Sequence, residues 1–270
     1  MSSNPDPILS SERQERALEI QTLSFSVQQG KQPVQQILKD LTLHVNDKEF
    51  VSIIGPSGCG KSTLLNFIAG LQEVQSGSIT LADNQHGVGR SLGYMFQQHA
   101  LLPWLTVQQN VALGLDIAGV AQSEQQQRTS KMIAEMGLAG YENHFPSQLS
   151  GGMCQRVSLA RTLVTNPELI LMDEPFGALD AQTRMFIQQM FNAYWEDHKK
   201  TVLFVTHDLA EAIYLSDRIV VMGARPGRVV AEYEVNIPRP RDFDSMRTSP
   251  AFNALHNALW QEIKTYTRLG

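Results

Sequence analysis

Cysteine is scarce in this chain of 270 residues: only Cys59 and Cys154 occur. Two thiols build no disulfide framework, and their rarity suits a reducing cytosol. Long apolar runs are missing as well. No stretch approaches the roughly 20 residues that span a bilayer, so the chain is not expected to cross a membrane unaided. Basic residues are outnumbered, 22 Lys and Arg against 27 Asp and Glu, for a formal net charge of −5. A phosphate backbone calls for a basic face, so no nucleic acid is expected as the main partner. The first residues are polar, include Pro5 and Pro7, and contain no apolar centre. They are read as a loose tail over 1–17, neither signal peptide nor anchor. No His, Cys, Asp or Glu cluster has metal-ligand spacing, and the Gln-rich stretch Gln122–Gln127 is the one biased tract.

What is present is a phosphate-binding pattern. Gly55-Pro56-Ser57-Gly58-Cys59-Gly60-Lys61-Ser62-Thr63 fits G-x-x-x-x-G-K-[ST]. The apolar, β-branched run Phe50–Ile54 precedes it, and Leu64–Ala69 reads as helix. Glycines allow the backbone to turn its N–H groups toward an anion, and the new helix adds partial positive charge at its start. Lys61 reaches β- and γ-phosphates in such a loop, and the Ser62 hydroxyl ligates Mg²⁺.

Around this loop the pattern changes along the chain. Leu18–Val27 and Leu41–Val45 alternate apolar and polar residues, as half-exposed antiparallel strands do. Ile79–Leu81 and Leu92–Phe96 read as further strands. Helical spacing dominates from Leu101 to Gln148, broken at Gly119, Gly137 and Gly140. Beyond Pro167, the apolar runs Leu169–Met172, Thr201–Thr206 and Arg218–Met222 alternate with amphipathic helices, which implies a doubly wound parallel sheet. In the helix after Asp180, Phe186, Met190, Phe191 and Tyr194 are expected inward, with Met185, Gln189 and Asn192 outward. Near the C-terminus Ser249 is a candidate N-cap and Pro250 the first helical residue. Phe252, Leu255, Leu259, Ile263 and Tyr266 follow as a core-packing stripe.

Asp173 and Glu174 stand where one apolar run ends, and ligands gather beyond the carboxyl ends of parallel strands. A carboxylate there can hold Mg²⁺ on the β- and γ-phosphates, and its neighbour, free of the metal, can orient water and accept its proton. His207 ends another such run and is expected on the same sheet edge, within reach of a γ-phosphate. The remaining histidines (His44, His86, His99, His144, His198 and His256) are assigned nothing. A second anion cradle lies in Leu149-Ser150-Gly151-Gly152-Met153-Cys154-Gln155-Arg156, where Ser150 caps a helix whose inner face is Val157, Ala160 and Val164. One triphosphate does not need two cradles in one chain, unless the second serves another subunit's nucleotide.

That segment resembles the signature motif of ATP-binding-cassette (ABC) ATPases, and the order of motifs from Leu18 to Arg228 is similar to theirs. Gly55 to Ser62 resembles Walker A, Gln97 the Q-loop glutamine, Ser150 to Met153 the signature, and Leu169 to Asp173 Walker B. Glu174 resembles the catalytic glutamate, Gly177 to Asp180 the D-loop, and His207 the switch histidine. More narrowly, Ala100–Trp104, Phe176–Asp180 and Ala224–Arg228 are similar to the nitrate/sulfonate/taurine group of bacterial importers.

The resemblance implies an α/β P-loop NTPase fold. Its mostly parallel, doubly wound sheet would carry an N-terminal antiparallel β subdomain and a helical subdomain inserted at about 99–156. The ATPase domain would cover 18–228, and a C-terminal extension with an amphipathic helix 229–270. It implies ATP and Mg²⁺ as cofactors, the metal held by Ser62, Gln97 and Asp173, with Lys61, Glu174 and His207 catalytic. A head-to-tail homodimer would place Ser150, Gly151 and Gly152 on the partner's ATP, with Asp180 in the D-loop between. Cys59 of one copy would then approach Cys154 of the other, as oxidation to a disulfide would reveal. The implied partners are integral membrane permease subunits, contacted through Leu101–Trp104, and indirectly a solute-binding protein. The implied place is the cytoplasmic face of the inner membrane, held peripherally, and the implied task is energising import of a small anionic or organic solute. A soluble non-transport ABC ATPase and an exporter are the alternatives. Two positions depart from the family pattern. Met153 replaces the usual signature Gln, with the first cradle residues intact, so hydrolysis is expected to survive. Val27 falls where members carry an adenine-stacking aromatic, and Phe25 lies two residues before it.

Overall fold

The structure, a computed structural model, describes residues 15–28, 30, 33–82 and 91–267. Most of the loose tail expected over 1–17, and His86, lie outside the described residues. The alternating segments become β1 (Arg16–Val27) and β2 (Gln35–Asn46), which pair antiparallel, and β4 (Ser76–Leu81) pairs antiparallel along the other side of β1. This three-stranded sheet, ordered β2-β1-β4, is the N-terminal β subdomain.

The continuous apolar runs form the second sheet. It contains β3 (Phe50–Ile54), β5 (Leu92–Met95), β6 (Leu169–Asp173), β7 (Thr201–Val205), β8 (Arg218–Gly223) and β9 (Arg228–Glu234), in the order β5-β6-β7-β3-β8-β9. All neighbours are parallel except β8 and β9. The sheet therefore runs past residue 228, and the domain limit expected there falls inside it, because β9 closes an edge that β8 alone would leave unpaired. β3, β6, β7 and β8 are buried along their whole lengths, as strands covered on both faces must be. Phe50, Ile170, Met172, Val202, Phe204 and Val221 point to one core, with the helices. Val51, Ile53, Leu171, Leu203, Val205 and Val220 point to the other, beneath the β subdomain. The period of two along a strand makes that division.

The helices are α1 (Lys61–Ile68), α2 (Val107–Ile117), α3 (Gln122–Glu135), α4 (Gly151–Leu163), α5 (Ala181–His198), α6 (Leu209–Leu215), α7 (Phe243–Thr248) and α8 (Pro250–Thr267). α2 and α3 make the inserted helical lobe and pack on α4, which continues into the sheet core and contacts β5. The α2 start is held by a reciprocal capping box between Thr106 and Gln109. In α5 the inward face is Ile187, Gln188, Phe191, Asn192, Tyr194 and Trp195. The expectation for two residues is corrected. Phe186 is 55 % exposed beneath the Arg156 guanidinium, and Asn192 is buried, accepting from Arg239 Nη1 at 3.1 Å. The polar partner, absent from any periodicity argument, makes Asn192 an interior residue. α8 starts as its sequence implies, with Phe252 N donating to Ser249 Oγ at 3.1 Å. Its stripe packs on α6, α7 and β8.

Candidate active site

Because β3, β5, β6 and β7 are parallel, the residues that follow their carboxyl ends gather along one edge of the sheet. The phosphate loop leaves β3 there, Gln97 lies two residues beyond β5, Asp173 ends β6 with Glu174 next, and His207 stands two residues beyond β7. No side chain caps α1, so its first N–H groups face the loop without side-chain partners. The Lys61 ammonium is nearly buried and donates to the loop's own carbonyls, Gly55 O at 2.8 Å and Pro56 O at 3.2 Å. Ser62 Oγ donates to Asp173 Oδ1 at 3.0 Å, so loop and acidic strand end meet directly. Burial pushes the Asp173 carboxyl up and the neighbouring Glu174 charge adds to this, while the Ser62 bond and Lys61 oppose it.

Glu174 turns the chain sharply at the strand end, with φ 43°, in the left-handed region that non-glycine residues rarely occupy. Such a conformation costs on the order of 1–3 kcal/mol and persists only where surroundings enforce it. Here its N–H is tied to Val205 O at 2.9 Å and its Oε2 lies 3.1 Å from His207 Nδ1. Gln97 is exposed.

A turn that the P-loop pattern does not contain supports the loop from behind. The segment joining β8 to β9 lays Gly227 between Ile37 and Lys39, its N–H donating to Ile37 O at 2.8 Å and its carbonyl accepting from Lys39 N at 3.0 Å. A Cβ at this position would stand 1.9 Å from Cys59 O. Beneath the loop Cys59 is fully buried, and burial raises its thiol despite the nearby Lys61 charge. Within one chain the Cys59 thiol faces the core and Cys154 Sγ is turned to Pro146 O at 3.6 Å, so a cross-chain disulfide would need both thiols to leave these positions. Phe25 is likewise committed to the core, edge-on to Phe67 at 4.9 Å between ring centres. Val27 is half-buried. Strand parity places Phe25 beside Val27, but the β1–β2 register shifts on either side of Phe25 break that parity.

Ser150, Gly151 and Gly152 lie at the start of α4. Ser150 Oγ accepts from Met153 N at 3.3 Å, as an N-cap. The two glycines differ. Around Gly151 the space is open, whereas a Cβ on Gly152 would meet Thr183 Cγ2 at 2.3 Å, so this glycine sets how closely α4 approaches α5. Asp180 caps α5, accepting from Thr183 N at 3.0 Å, and that bond holds its carboxyl below the usual range. Leu101 and Leu102 are half-buried and Trp104 is 68 % exposed.

Sequence reasoning missed the polar links between these parts. Gln155, on α4, is fully buried; its Nε2 donates to Pro175 O, beside Glu174, and its Oε1 meets His99 Nδ1. Arg161 donates to Ala100 O at 2.7 Å and His99 O at 2.9 Å, fastening the segment after Gln97 to α4. Arg184 Nη2 donates to Leu179 O at 2.8 Å, and its Nη1 lies 3.8 Å from Asp208, the residue after His207. A lone Gln or Arg in a helix leaves no sequence signal for such roles; only its contacts do.

Ser62, Asp173 and the Gln97 amide are hard oxygen donors with a single carboxylate among them, which suits Mg²⁺ shared with phosphate oxygens. Among the described residues there is no group of three His, Cys, Asp or Glu placed to hold a metal ion by itself. The raised Asp173 carboxyl is a buried acid whose nearest cation is occupied by loop carbonyls, a setting that a bound cation relieves.

Comparison with known proteins agrees with this arrangement. The family profile described as "ABC transporter" matches residues 38–177. An uncharacterised ABC transporter ATP-binding protein of Methanocaldococcus jannaschii is 46% identical over 227 residues, 84% of this chain and 85% of that protein. The aliphatic sulfonates import ATP-binding protein of Bacillus licheniformis is 42% identical over 230 residues, 85% of this chain and 88% of its own. Among solved structures, a dimeric ATP-binding cassette in a post-hydrolysis state with ADP and phosphate superposes with a TM-score of 0.71. It is 33% identical and covers 82% of this chain and 100% of the other.

Proposed function

The chain belongs to the ABC transporter family and is an ATPase cassette of it; from that premise we propose that it energises the import of a small anionic or organic solute of the sulfonate type. One observation carries the mechanistic part: Lys61, Ser62, Asp173, Glu174 and His207 share one sheet edge, while Ser150 Oγ caps its own helix, α4, by accepting from Met153 N. A half-site and an unused cradle on one chain call for a second copy. Support for import comes from the likeness to an aliphatic sulfonates import protein along most of both chains.

In this reading Lys61 exchanges the Gly55 and Pro56 carbonyls for β- and γ-phosphate oxygens, a switch its short reach already permits. Ser62, Asp173 and Gln97 would hold Mg²⁺, which would offset charge on the phosphate oxygens. Glu174 accepts the proton of the attacking water. His207 Nδ1 lies 3.1 Å from that carboxylate and orients it, and with ATP bound the imidazole N–H turns to the γ-phosphate instead. In the partner copy Ser150 Oγ, Gly151 N–H and the α4 dipole complete the charge stabilisation. ATP closes the pair and hydrolysis releases it. Trp104 and the neighbouring Leu101 and Leu102 offer an apolar contact for permease subunits at the cytoplasmic face of the inner membrane. Among the described residues no helix is long and apolar enough to cross a membrane, so the chain depends on those subunits for its place there. A solute-binding protein would select the cargo.

The test is co-expression with the membrane-spanning permease subunits of a sulfonate importer. Recovery of the chain in washed membranes only when the permease is present, with ATPase activity stimulated by a sulfonate-loaded binding protein, is the expected result. Full recovery in the soluble fraction under the same conditions would overturn it.

A further inference from the structure

A cavity of about 460 Å³ lies between α5, α6, α7 and α8, with Asp208, the residue after His207, in its wall. Its volume falls in the range of small-molecule sites. Three helices each contribute a cationic or protonatable side chain to the wall: Arg184, Arg247 and His256. Arg247 lies over the Phe243 ring at 5.3 Å, and His256 stacks on Phe252 at 5.7 Å. Among the described residues neither pairs with a carboxylate. Arg184 is under-used: it makes one hydrogen bond, to Leu179 O, its Nε has no partner, and its 3.8 Å approach to Asp208 is too long for a hydrogen bond. Met185 and Phe243 add apolar atoms to a lining that also includes the carboxyl groups of Asp208 and Glu211, the latter bonded to Gln188 and Thr206.

We propose that this cavity is an effector site for a small organic oxyanion, which slows ATP hydrolysis by drawing Arg184 away from Leu179 and Asp208. The chemistry of the walls gives the class: guanidinium groups fork onto carboxylate, sulfonate or phosphate oxygens, and the apolar lining favours a carbon skeleton over a bare inorganic ion. The route to the site is short. Leu179 precedes Asp180, the D-loop residue that caps α5. Asp208 caps α6, accepting from Ala210 N and Glu211 N, and its own N–H donates to Thr206 Oγ1 at 3.0 Å, so Thr206, His207 and Asp208 form one braced turn. The Arg184 side chain reaches both segments. Anion binding there competes with both contacts and loosens the D-loop and the His207 turn together.

Full-length protein with ATP, titrated with ethanesulfonate, glycerol 3-phosphate and succinate against chloride at equal ionic strength, tests this. At least one of the three is expected to raise the Tm by about 2–4 °C near saturation and to lower turnover by about fivefold. In the double variant Arg247→Ala/His256→Ala both effects should vanish, with turnover in the absence of anion unchanged. The proposal is overturned if none of the three exceeds chloride, or if the response survives in the double variant, which would place the anion at the phosphate loop. Binding with unchanged or raised turnover also overturns it. None of these readouts involves a permease, so failure here is separable from failure of the import reading.

Discussion

Gln155 and His99 are joined through a hydrogen bond whose direction the surroundings dictate. Pro175 O can only accept, so the Gln155 amide must present Nε2 to it, and Oε1 therefore faces the imidazole. His99 must carry its proton on Nδ1. The fully buried glutamine thus ties the segment after Gln97 to the backbone next to Glu174. We expect Gln155→Met to lower kcat by about tenfold or more, as small misplacements of reacting groups do, with KM for ATP little changed. His99→Asn, which keeps a donor in place of Nδ1–H, should retain near-normal kcat, whereas His99→Phe should behave like Gln155→Met. Equal loss in all three variants, or loss tracking Tm alone, would reduce the link to packing.

Glu174 holds a left-handed backbone and a 3.1 Å contact to His207. Replacement by Gln preserves shape and removes the base. Turnover is expected to fall by about 100-fold or more, with ATP binding retained and a dimer trapped by ATP visible in light scattering. Near-normal hydrolysis would remove Glu174 from the role of base.

Burial pushes the Glu211 carboxyl from 4.5 up to about 7, Asp208's charge adds to it, and hydrogen bonds from Thr206 and Gln188, with Arg184 nearby, act the other way. The folded state therefore holds this proton more tightly than the unfolded state. Its cost to stability is absent below about pH 4.5, grows as pH rises, and is fully present above about pH 7, where it amounts to roughly 3 kcal/mol. Chemical denaturation at pH 5 and pH 8 should show the wild type losing stability over that interval and Glu211→Gln losing less. Arg184, Asp208, Arg247 and His256 face the same cavity, so the comparison rests on the difference between the two proteins at each pH.

A methyl group at Gly227 collides with Cys59 O. Gly227→Ala is expected to displace the phosphate loop and weaken nucleotide binding by about tenfold or more, with a loss of roughly 1–3 kcal/mol in stability as in overpacked cores. Titration with a fluorescent ATP analogue reads the first effect. Unchanged affinity would show that the β8–β9 turn moves aside freely.

Cys59 is buried beneath the loop and its thiol is raised, so thiolate chemistry is suppressed there. Native labelling should modify Cys154 first and Cys59 only on unfolding. Mild oxidation with ATP bound to the Glu174→Gln variant should leave the chain uncrosslinked on a non-reducing gel; an ATP-dependent dimer band would mean that the loop opens to expose Cys59.

Local pattern alone determined much of this protein. The phosphate loop, the alternation in β1 and β2, the apolar runs of the parallel sheet and the Ser249–Pro250 helix start depend on neighbours a few residues apart. Such features are written as spacing and residue type. That Asp173 meets Ser62 and His207 meets Glu174 follows from strand order, which the carboxyl-end rule made legible in part. Tertiary structure alone decided the rest. Phe25 went into the core, Cys59 turned under its loop, Asn192 found Arg239, β9 extended the sheet, and Gln155 and Arg184 became links between distant segments. Each of those outcomes depends on which polar group or backbone atom arrives from far along the chain. A one-dimensional period carries no record of such arrivals.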